Sequence, residues 1–439
     1  MSAIREVTAA EFDEVVRRSP VPVAVDFYSS ECAPCEALAP KYEALHELYG
    51  QDVRFVKVFR QANRPLAEEL GVRSSPTVLF FVQGAEVGHR LGGAIRRSEL
   101  QRELDALIPA ARVAAIAAQV RPFTTYCDVL VLGAGPAGLT TAIYTAQAKQ
   151  KTVLVDVGLG GGNLAITHQV SNFPGFPQPQ PGYQLADQML QQAKNAGALP
   201  RLAAEVTRCN LAEHWVELDG VETVRAKRVV VATGSSPRVI GVEGEREFKG
   251  RGISYCATCD AKYYEGKHVV VIGGGNSAAE ESLFIAKFAS KITMVHQLEA
   301  LTAHKAVQEQ VLQHPKIQVL FRTEPRAFLA RNGRTVDGVR LHDLERDTTY
   351  VLDTDGVFVF AGMSPNLELF PGVFELDPYG YIRADADMHT NVPGVWAVGD
   401  VVSKKFRQMT TAVGDGTIAA MAIAQEAGRD APAAGPHAY

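Results

Sequence analysis

At 439 residues the chain is longer than one compact core serves, and length alone suggests about three domains of ordinary size. Its composition, 46% hydrophobic and 21% charged, is that of a soluble globular protein, and no apolar run approaches the ~20 residues of a membrane span. A net charge of -5 without clustered Lys and Arg gives no footprint for nucleic acid, so small molecules or proteins are the expected partners.

The opening Met1-Ser-Ala-Ile-Arg-Glu lacks the pattern of a secretory signal, which points to a cytoplasmic protein. Residues 1–108 then alternate strands and helices. Val21–Phe27 and Thr77–Val82 read as strands, Cys35–Leu48 has apolar residues at helical spacing, and Ser98–Leu107 reads as a closing helix with Ser98 as N-cap. Cys32-Ala-Pro-Cys35 follows the first strand and opens a helix, where the dipole and free amides lower the pKa of the first thiol. Cys32 is thus the expected nucleophile and Cys35 the resolving thiol. Asp26, an acid within an apolar strand, is costly to bury without a task, and proton shuttling is the expected one. Pro76 of Ser75-Pro76-Thr77 is a candidate cis proline packed on the dithiol. The Ala-rich stretch 109–123 reads as a partly helical linker.

From residue 124 a strand runs into Gly133-x-Gly135-x-x-Gly138, with Pro136 and Ala137 in the turn, and then a helix. These glycines permit a tight turn, close approach of backbone to a pyrophosphate, and close packing of helix on strand. Asp156 follows at the next strand end, where an acid bonds a ribose hydroxyl. The same grammar returns at Gly273-x-Gly275-Asn276-Ser277-Ala278, without a following acid at the next strand end. We therefore divide the rest into a first dinucleotide domain (124–241), a second one inserted in it (242–361), a return to the first (362–430) and a tail (431–439).

Four of the six cysteines form two Cys-x-x-Cys pairs, the second being Cys256 and Cys259. A four-cysteine zinc site is the alternative reading, but zinc pairs usually lie close in sequence and these do not, so no metal is expected. Cys127 and Cys209 read as small buried hydrophobes. Two dinucleotide sites with a dithiol between them suggest a path from nicotinamide to flavin to disulfide, with Asp260 handling the proton of thiolate chemistry.

Taken together the motifs resemble a known family. Residues 1–108, with Val25-Asp26-Phe27, Cys-x-Pro-Cys, Ala39-Pro40, Ser75-Pro76-Thr77 and Gly92, resemble thioredoxin. Residues 124–428 resemble low-molecular-weight, FAD-dependent thioredoxin reductase through the first glycine motif, Asn172-Phe-Pro-Gly175, Ala232-Thr-Gly234, Cys256-Ala-Thr-Cys-Asp260, Gly273 to Glu281, Gly399-Asp-Val401 and Arg407-Gln408. The resemblance implies an α/β protein: a thioredoxin fold, then an FAD domain interrupted by an NAD(P) domain, both Rossmann-like. It implies FAD held by the first glycine motif with Asp156, Gly162, Asn163, Asn172, Thr233, Gly234, Gly399 and Asp400, the last on the ribityl side, and by Arg407 and Gln408 near the isoalloxazine. It also implies a homodimer, Cys259 nearer the flavin, Cys256 attacking the thioredoxin disulfide, and rotation of the nucleotide domain between the two half-reactions. The substrate is tethered here, in cis or across the dimer, which raises its effective concentration.

Two features depart from the family. Its NADPH users carry His-Arg-Arg and a further Arg that grip the 2′-phosphate, where this chain has His296-Gln297-Leu298 and Thr302. NADH is therefore expected over NADPH, with Glu299 a candidate ribose acid. Glu31 stands where thioredoxins usually place Trp, and Ala33 where Gly is usual; a charge at Glu31 should raise the Cys32 pKa and alter partner recognition. Competing readings are a peroxiredoxin-reducing flavoprotein, a reductase with a ferredoxin-type donor, and a non-enzymatic redox sensor or scaffold.

Overall fold

The computed structural model describes residues 4–30, 32–167, 170, 172–255, 257–331 and 333–430, without the side chains of Thr258, Cys259 and Asp430. Glu31, Cys256 and the 431–439 tail, each singled out above, lie outside the described residues.

Val23–Tyr28 is apolar on both faces because both are covered, and it forms the centre of a five-stranded sheet. It pairs in parallel with Arg54–Phe59 and antiparallel with Thr77–Val82; Arg5–Glu6 and Ala85–Gly92 complete the edges. The helix Ala33–Tyr49 lays Leu38, Tyr42 and Leu45 on one face, and the Tyr42 hydroxyl donates to the carbonyls of Ala24 (2.8 Å) and Val56 (3.1 Å). The closing helix is Arg97–Asp105, one residue earlier than expected, and Ser98 is not its N-cap. Arg96 takes that place because the Glu99 carboxylate reaches back to its N–H at 2.9 Å, leaving the Ser98 hydroxyl to meet Glu205 at 3.1 Å. The stretch expected as a linker is firmer than its composition suggests. Ala110–Ala117 is a helix that buries Ile116 in the thioredoxin-like core, and Arg112 grips Asp52 with two bonds of 2.9 and 2.7 Å.

A seven-stranded sheet follows, in the order Leu199–Arg201, Thr152–Val155, Phe123–Leu132, Glu222–Val231, Trp215–Leu218, Val206–Asn210, with Val395–Ala397 also pairing Glu222–Val231. The helices Pro136–Gln147, Gly182–Ala196 and Met409–Asp430 cover one face. Between its two passages the chain builds a parallel sheet, Ile253–Ser254, Gly356–Val359, His268–Ile272, Lys291–Val295 and Ile317–Leu320, flanked by an antiparallel three-stranded one. The outgoing strand Ser235–Pro237 and the returning strand Met363–Pro365 pair with each other, so the inserted unit hangs on one two-stranded ribbon. The expected fold class, a thioredoxin-like α/β unit followed by two Rossmann-like units with the second inserted in the first, is what the sheets display. No described helix is long and apolar enough to cross a membrane.

Asp26 sits in the central strand, 3% exposed, with Oδ1 lacking any partner. Burial pushes its carboxyl up to about 7, against a smaller opposing pull from Lys57. A folded-state value above the unfolded one means the native domain holds more protons than the unfolded chain between those limits, so its stability falls as pH rises through that window. Asp26→Asn removes the titration. Its stability relative to the parent should rise by on the order of 4 kcal/mol between pH 4 and pH 8, read as urea midpoints of the domain, and a difference flat across that range contradicts the assignment.

Candidate active site

Cys32 and Cys35 form a disulfide, with Cα atoms 5.2 Å apart, at the start of the helix Ala33–Tyr49. Cys32 is itself the N-cap, its Sγ accepting from the Cys35 N–H at 3.3 Å, and Pro34 lies in the first turn where a missing N–H costs nothing. Cys32 Sγ also lies 3.5 Å from the Ser75 carbonyl, and the Ser75–Pro76 peptide that follows is cis, as anticipated. Cys32 is partly exposed while Cys35 is buried, which suits an attacking and a resolving thiol.

The first glycine turn borders a cavity of about 530 Å³ at the ends of the parallel strands. Gly133, Gly135, Pro136, Ala137, Asp156, Gly162, Asn163, Asn172, Thr233, Gly234, Gly399, Asp400, Arg407 and Gln408 all line it. Gly138 lies beneath, where a Cβ would fall on the Gly133 carbonyl. A Cβ at Gly135 would point into open space, the cradle that a pyrophosphate takes. Asp156 is more committed than the sequence suggests: its oxygens accept from the N–H groups of Ala134 (2.6 Å) and Gly158 (2.7 Å), leaving its other lone pairs for a ribose. Asp400 carries a buried Oδ1 with no partner, and burial raises its pKa despite the pull of Lys404 and Arg407. The Arg407 guanidinium stacks over the Tyr381 ring at 3.6 Å and bonds the Asp400 carbonyl, while Gln408 accepts from Asn172 at 3.2 Å. An orphaned buried acceptor beside a glycine cradle fits a flavin nucleotide.

Among the lining residues that the sequence reading did not assign to this cavity, three bear on its chemistry. Asn366 and Thr233 bond each other reciprocally, each side chain to the other's carbonyl at 2.8 Å, fixing the two ends of the ribbon at the cavity. Ser235 contributes a second buried oxygen without a partner. Glu281 comes from the inserted unit, and burial together with Glu280 raises its carboxyl.

The second glycine turn joins His268–Ile272 to Asn276–Ile285. The His296 ring packs so closely on Gly274 that a Cβ there would enter it, and Asn276 accepts from the His304 N–H at 2.7 Å. Gly273 is in the left-handed region at φ +135° and Ala278 is buried beneath the turn. Gly275 and Ser277 stand at its rim, with Thr302 nearby. Glu299 is exposed and paired with Arg322 at 3.0 Å. Cys259 lies in the short helix Ala257–Asp260, which shares a core through Ala257, and through Ala261 just beyond it, with Ala278 and Ala279 of the glycine-turn helix. Asp260 is half-buried at its end and makes no capping bond. Cys127 is buried, and burial pushes its thiol up to about 12. Cys209 is half-buried, its Sγ 3.1 Å from the Leu369 carbonyl.

Residues 127–416 match the pyridine nucleotide-disulphide oxidoreductase family, and residues 3–106 match thioredoxin. The chain is 40% identical over 306 residues to a thioredoxin reductase of Peptoclostridium litorale, covering 67% of this chain and 95% of that one. It is 38% identical over 296 residues to the thioredoxin reductase of Bacillus subtilis, covering 67% and 93%. Its fold is similar to the crystal structure of Lactococcus lactis thioredoxin reductase (TM-score 0.60, 32% identity, 68% of this chain and 98% of that one) and to that of T. acidophilum thioredoxin reductase (TM-score 0.59, 32% identity, 69% and 99%). A cavity built for a dinucleotide, a second glycine turn packed on a Cys-x-x-Cys helix, and a thioredoxin fold ahead of them are thus found together in a chain that belongs to the pyridine nucleotide-disulphide oxidoreductases, as a thioredoxin reductase with a fused thioredoxin domain.

Proposed function

We propose that this chain is a self-supplied disulfide relay, in which electrons from a reduced nicotinamide, NADH in preference to NADPH, pass through FAD and Cys256/Cys259 to Cys32/Cys35 and on to client disulfides. The observation that carries the reading is the shared cavity: Glu281, on the helix of the second glycine turn, lines the space framed by the first, and the same helix packs on the one that holds Cys259. When bound, FAD accepts a hydride and returns electrons in pairs to sulfur. The amides around Gly133–Gly138 would hold its pyrophosphate, Asp156 a ribose and Asp400 the ribityl chain, with Arg407, Gln408 and Asn172 available to the ring. In the thiol exchange the Cys256 thiolate attacks Cys32; the Cys32–Cys35 bond breaks as Cys256–Cys32 forms, and Cys35 leaves as thiolate and takes up a proton. Cys259 then attacks Cys256, the mixed disulfide opens and Cys32 is released. Asp260 and Asp26 serve as proton carriers for the two pairs, the latter because its buried carboxyl titrates near neutrality.

The nicotinamide preference rests on what stands where a 2′-phosphate would lie. Gln297, Leu298 and Thr302 supply no guanidinium, and nearby Arg322 is paired with Glu299 and Glu345. The working unit is a cytoplasmic homodimer, and 2-Cys peroxiredoxins fall among the candidate clients.

Stopped-flow mixing of the oxidised flavoprotein with each donor should bleach the flavin faster with NADH than with NADPH at equal concentration. Equal rates, or refusal of both, contradict the donor assignment. Grafting Gln297→Arg with Leu298→Arg should improve kcat/KM for NADPH by roughly tenfold, the value of a charge-assisted bond worth ~1.4 kcal/mol, with little effect on NADH. Cys256→Ser should leave flavin bleaching intact and abolish client reduction; turnover that survives in that variant sinks the relay.

A further inference from the structure

The thioredoxin domain is bound to the reductase by a specific contact as well as by the chain. Lys41, on the same helix as Cys35, directs its ammonium to the carbonyls of Leu202 (2.9 Å) and Ala203 (2.7 Å) in the flavin domain and Ile95 (3.3 Å) in its own. An ammonium has three donors, and all three end on carbonyl oxygens. Burial lowers its pKa to about 8, with Asp219 and Glu99 pulling the other way, so this half-buried charge is held by those bonds.

The receiving carbonyls are set in advance. Ala203 is fully buried and left-handed at φ +48°, a conformation a side-chain-bearing residue keeps only when its neighbours enforce it. The enforcing bonds run from Ala203 N to the Gly158 carbonyl (2.7 Å) and from Ala204 N to the Asp156 carbonyl (3.1 Å). Around this point Glu36 pairs with Lys194 at 2.8 Å, Ser98 meets Glu205 at 3.1 Å, and Ala37 packs on the flavin-domain core. A cavity of about 610 Å³, into which Arg97 and Asp219 reach among mostly apolar side chains, leaves the rest of the contact open. A contact that is joined by a few polar bonds and leaves such a gap is of the kind that lets domains part and rejoin.

Among the described residues, the hydrogen bonds and ion pairs from the thioredoxin domain to the reductase all end on the flavin domain, at Lys194, Leu202, Ala203 and Glu205. The reactive pair Cys256/Cys259 belongs to the inserted unit instead. The face of the active-site helix next to the Cys32–Cys35 bond, Ala33, Glu36 and Ala37, is turned to a surface that carries no Cys-x-x-Cys.

We infer that this strip of the flavin domain is a resting dock for the oxidised thioredoxin domain, separate from the surface where Cys256 reacts, and that Lys41 is its latch. Reduction of Cys32–Cys35 follows release from the dock, so loosening the latch speeds delivery. The inference rests on the relay proposed above, and its test separates the two.

Rapid-quench alkylation of the full-length FAD-loaded protein, after mixing with excess nicotinamide, reads the rate at which Cys32–Cys35 opens. Lys41→Ala should raise that rate at least threefold while flavin bleaching keeps its parent rate. Lys194→Glu should do the same, and adding Glu36→Lys should bring the rate back by restoring the ion pair in reverse, which guards against a Lys41 variant that merely folds poorly. Rates that stay level or fall in both single variants overturn the dock, a fall meaning that this contact is the productive one. If instead nicotinamide fails to produce two thiols at Cys256/Cys259 in a Cys32→Ser/Cys35→Ser chain, the relay itself has failed.

Discussion

Everything chemical in this molecule depends on how closely backbone can approach backbone at the first glycine turn. A Cβ at Gly133 would fall on the Ala232 carbonyl, one at Gly138 on Gly133, and one at Gly416 on Ala137. With only hydrogen at those places, the helices Pro136–Gln147 and Met409–Asp430 settle against each other and against the strands Phe123–Leu132 and Glu222–Val231. That convergence leaves the turn amides facing a common cavity at the strand ends, where a helix N-terminus favours a phosphate. The returning segment then needs only the left-handed Gly399 (φ +78°), packed on Ala137, to bring Asp400 to the same space.

Buried polar atoms divide into those the fold satisfies and those it leaves open. Lys41 spends every donor on a carbonyl, and the Glu222 carboxylate is shared by Arg201 and Thr125. Such groups are structural or hold surfaces together. Asp26 Oδ1, Ser235 Oγ and Asp400 Oδ1 have no partner at all. Two of these line the dinucleotide cavity and the third lies in the strand that leads to the Cys32–Cys35 turn, places where a ligand or a proton is to be received, while the nitrogens His46 Nδ1, Arg97 Nε and Trp396 Nε1 are unpartnered elsewhere.

The same division explains what could be read from the chain before it was folded. The glycine turns, the prolines at helix starts and the Cys-x-x-Cys pairs were legible because a backbone conformation or a thiol at a helix N-terminus demands those residue types locally. Asp26 was legible for the opposite reason, as an acid in an apolar strand. Ser98 misled because a serine before an apolar run looks like a cap, while the Glu99 carboxylate had already secured the turn at Arg96, two residues earlier. Asn366 and Lys41 left no local trace, and Glu281 showed only as the last residue of a motif, not as a part of the first cavity. Asn366 gains its meaning from Thr233 across the ribbon, Glu281 from the packing of one domain over another's cavity, and Lys41 from two carbonyls far along the chain. Interactions between distant segments have no period or spacing through which a sequence could announce them.

The packed helix Ala110–Ala117 changes what tethering means here. A flexible linker would let the thioredoxin domain sample a wide volume, with an effective concentration set by linker length. With that helix fixed to the domain through Ile116 and the Arg112–Asp52 pair, only residues 119–122 join it to the strand that begins at Phe123, a span of roughly 14 Å at full extension. Release from the proposed dock would therefore swing the domain on a short hinge. Its active-site edge follows an arc fixed by the rigid body on either side, and a dithiol on that arc is met at high effective concentration while one off it is not met at all. In the relay proposed above, geometry more than affinity would thus decide which Cys256 is reached, and the proposed latch at one end of the arc would set how long each swing waits.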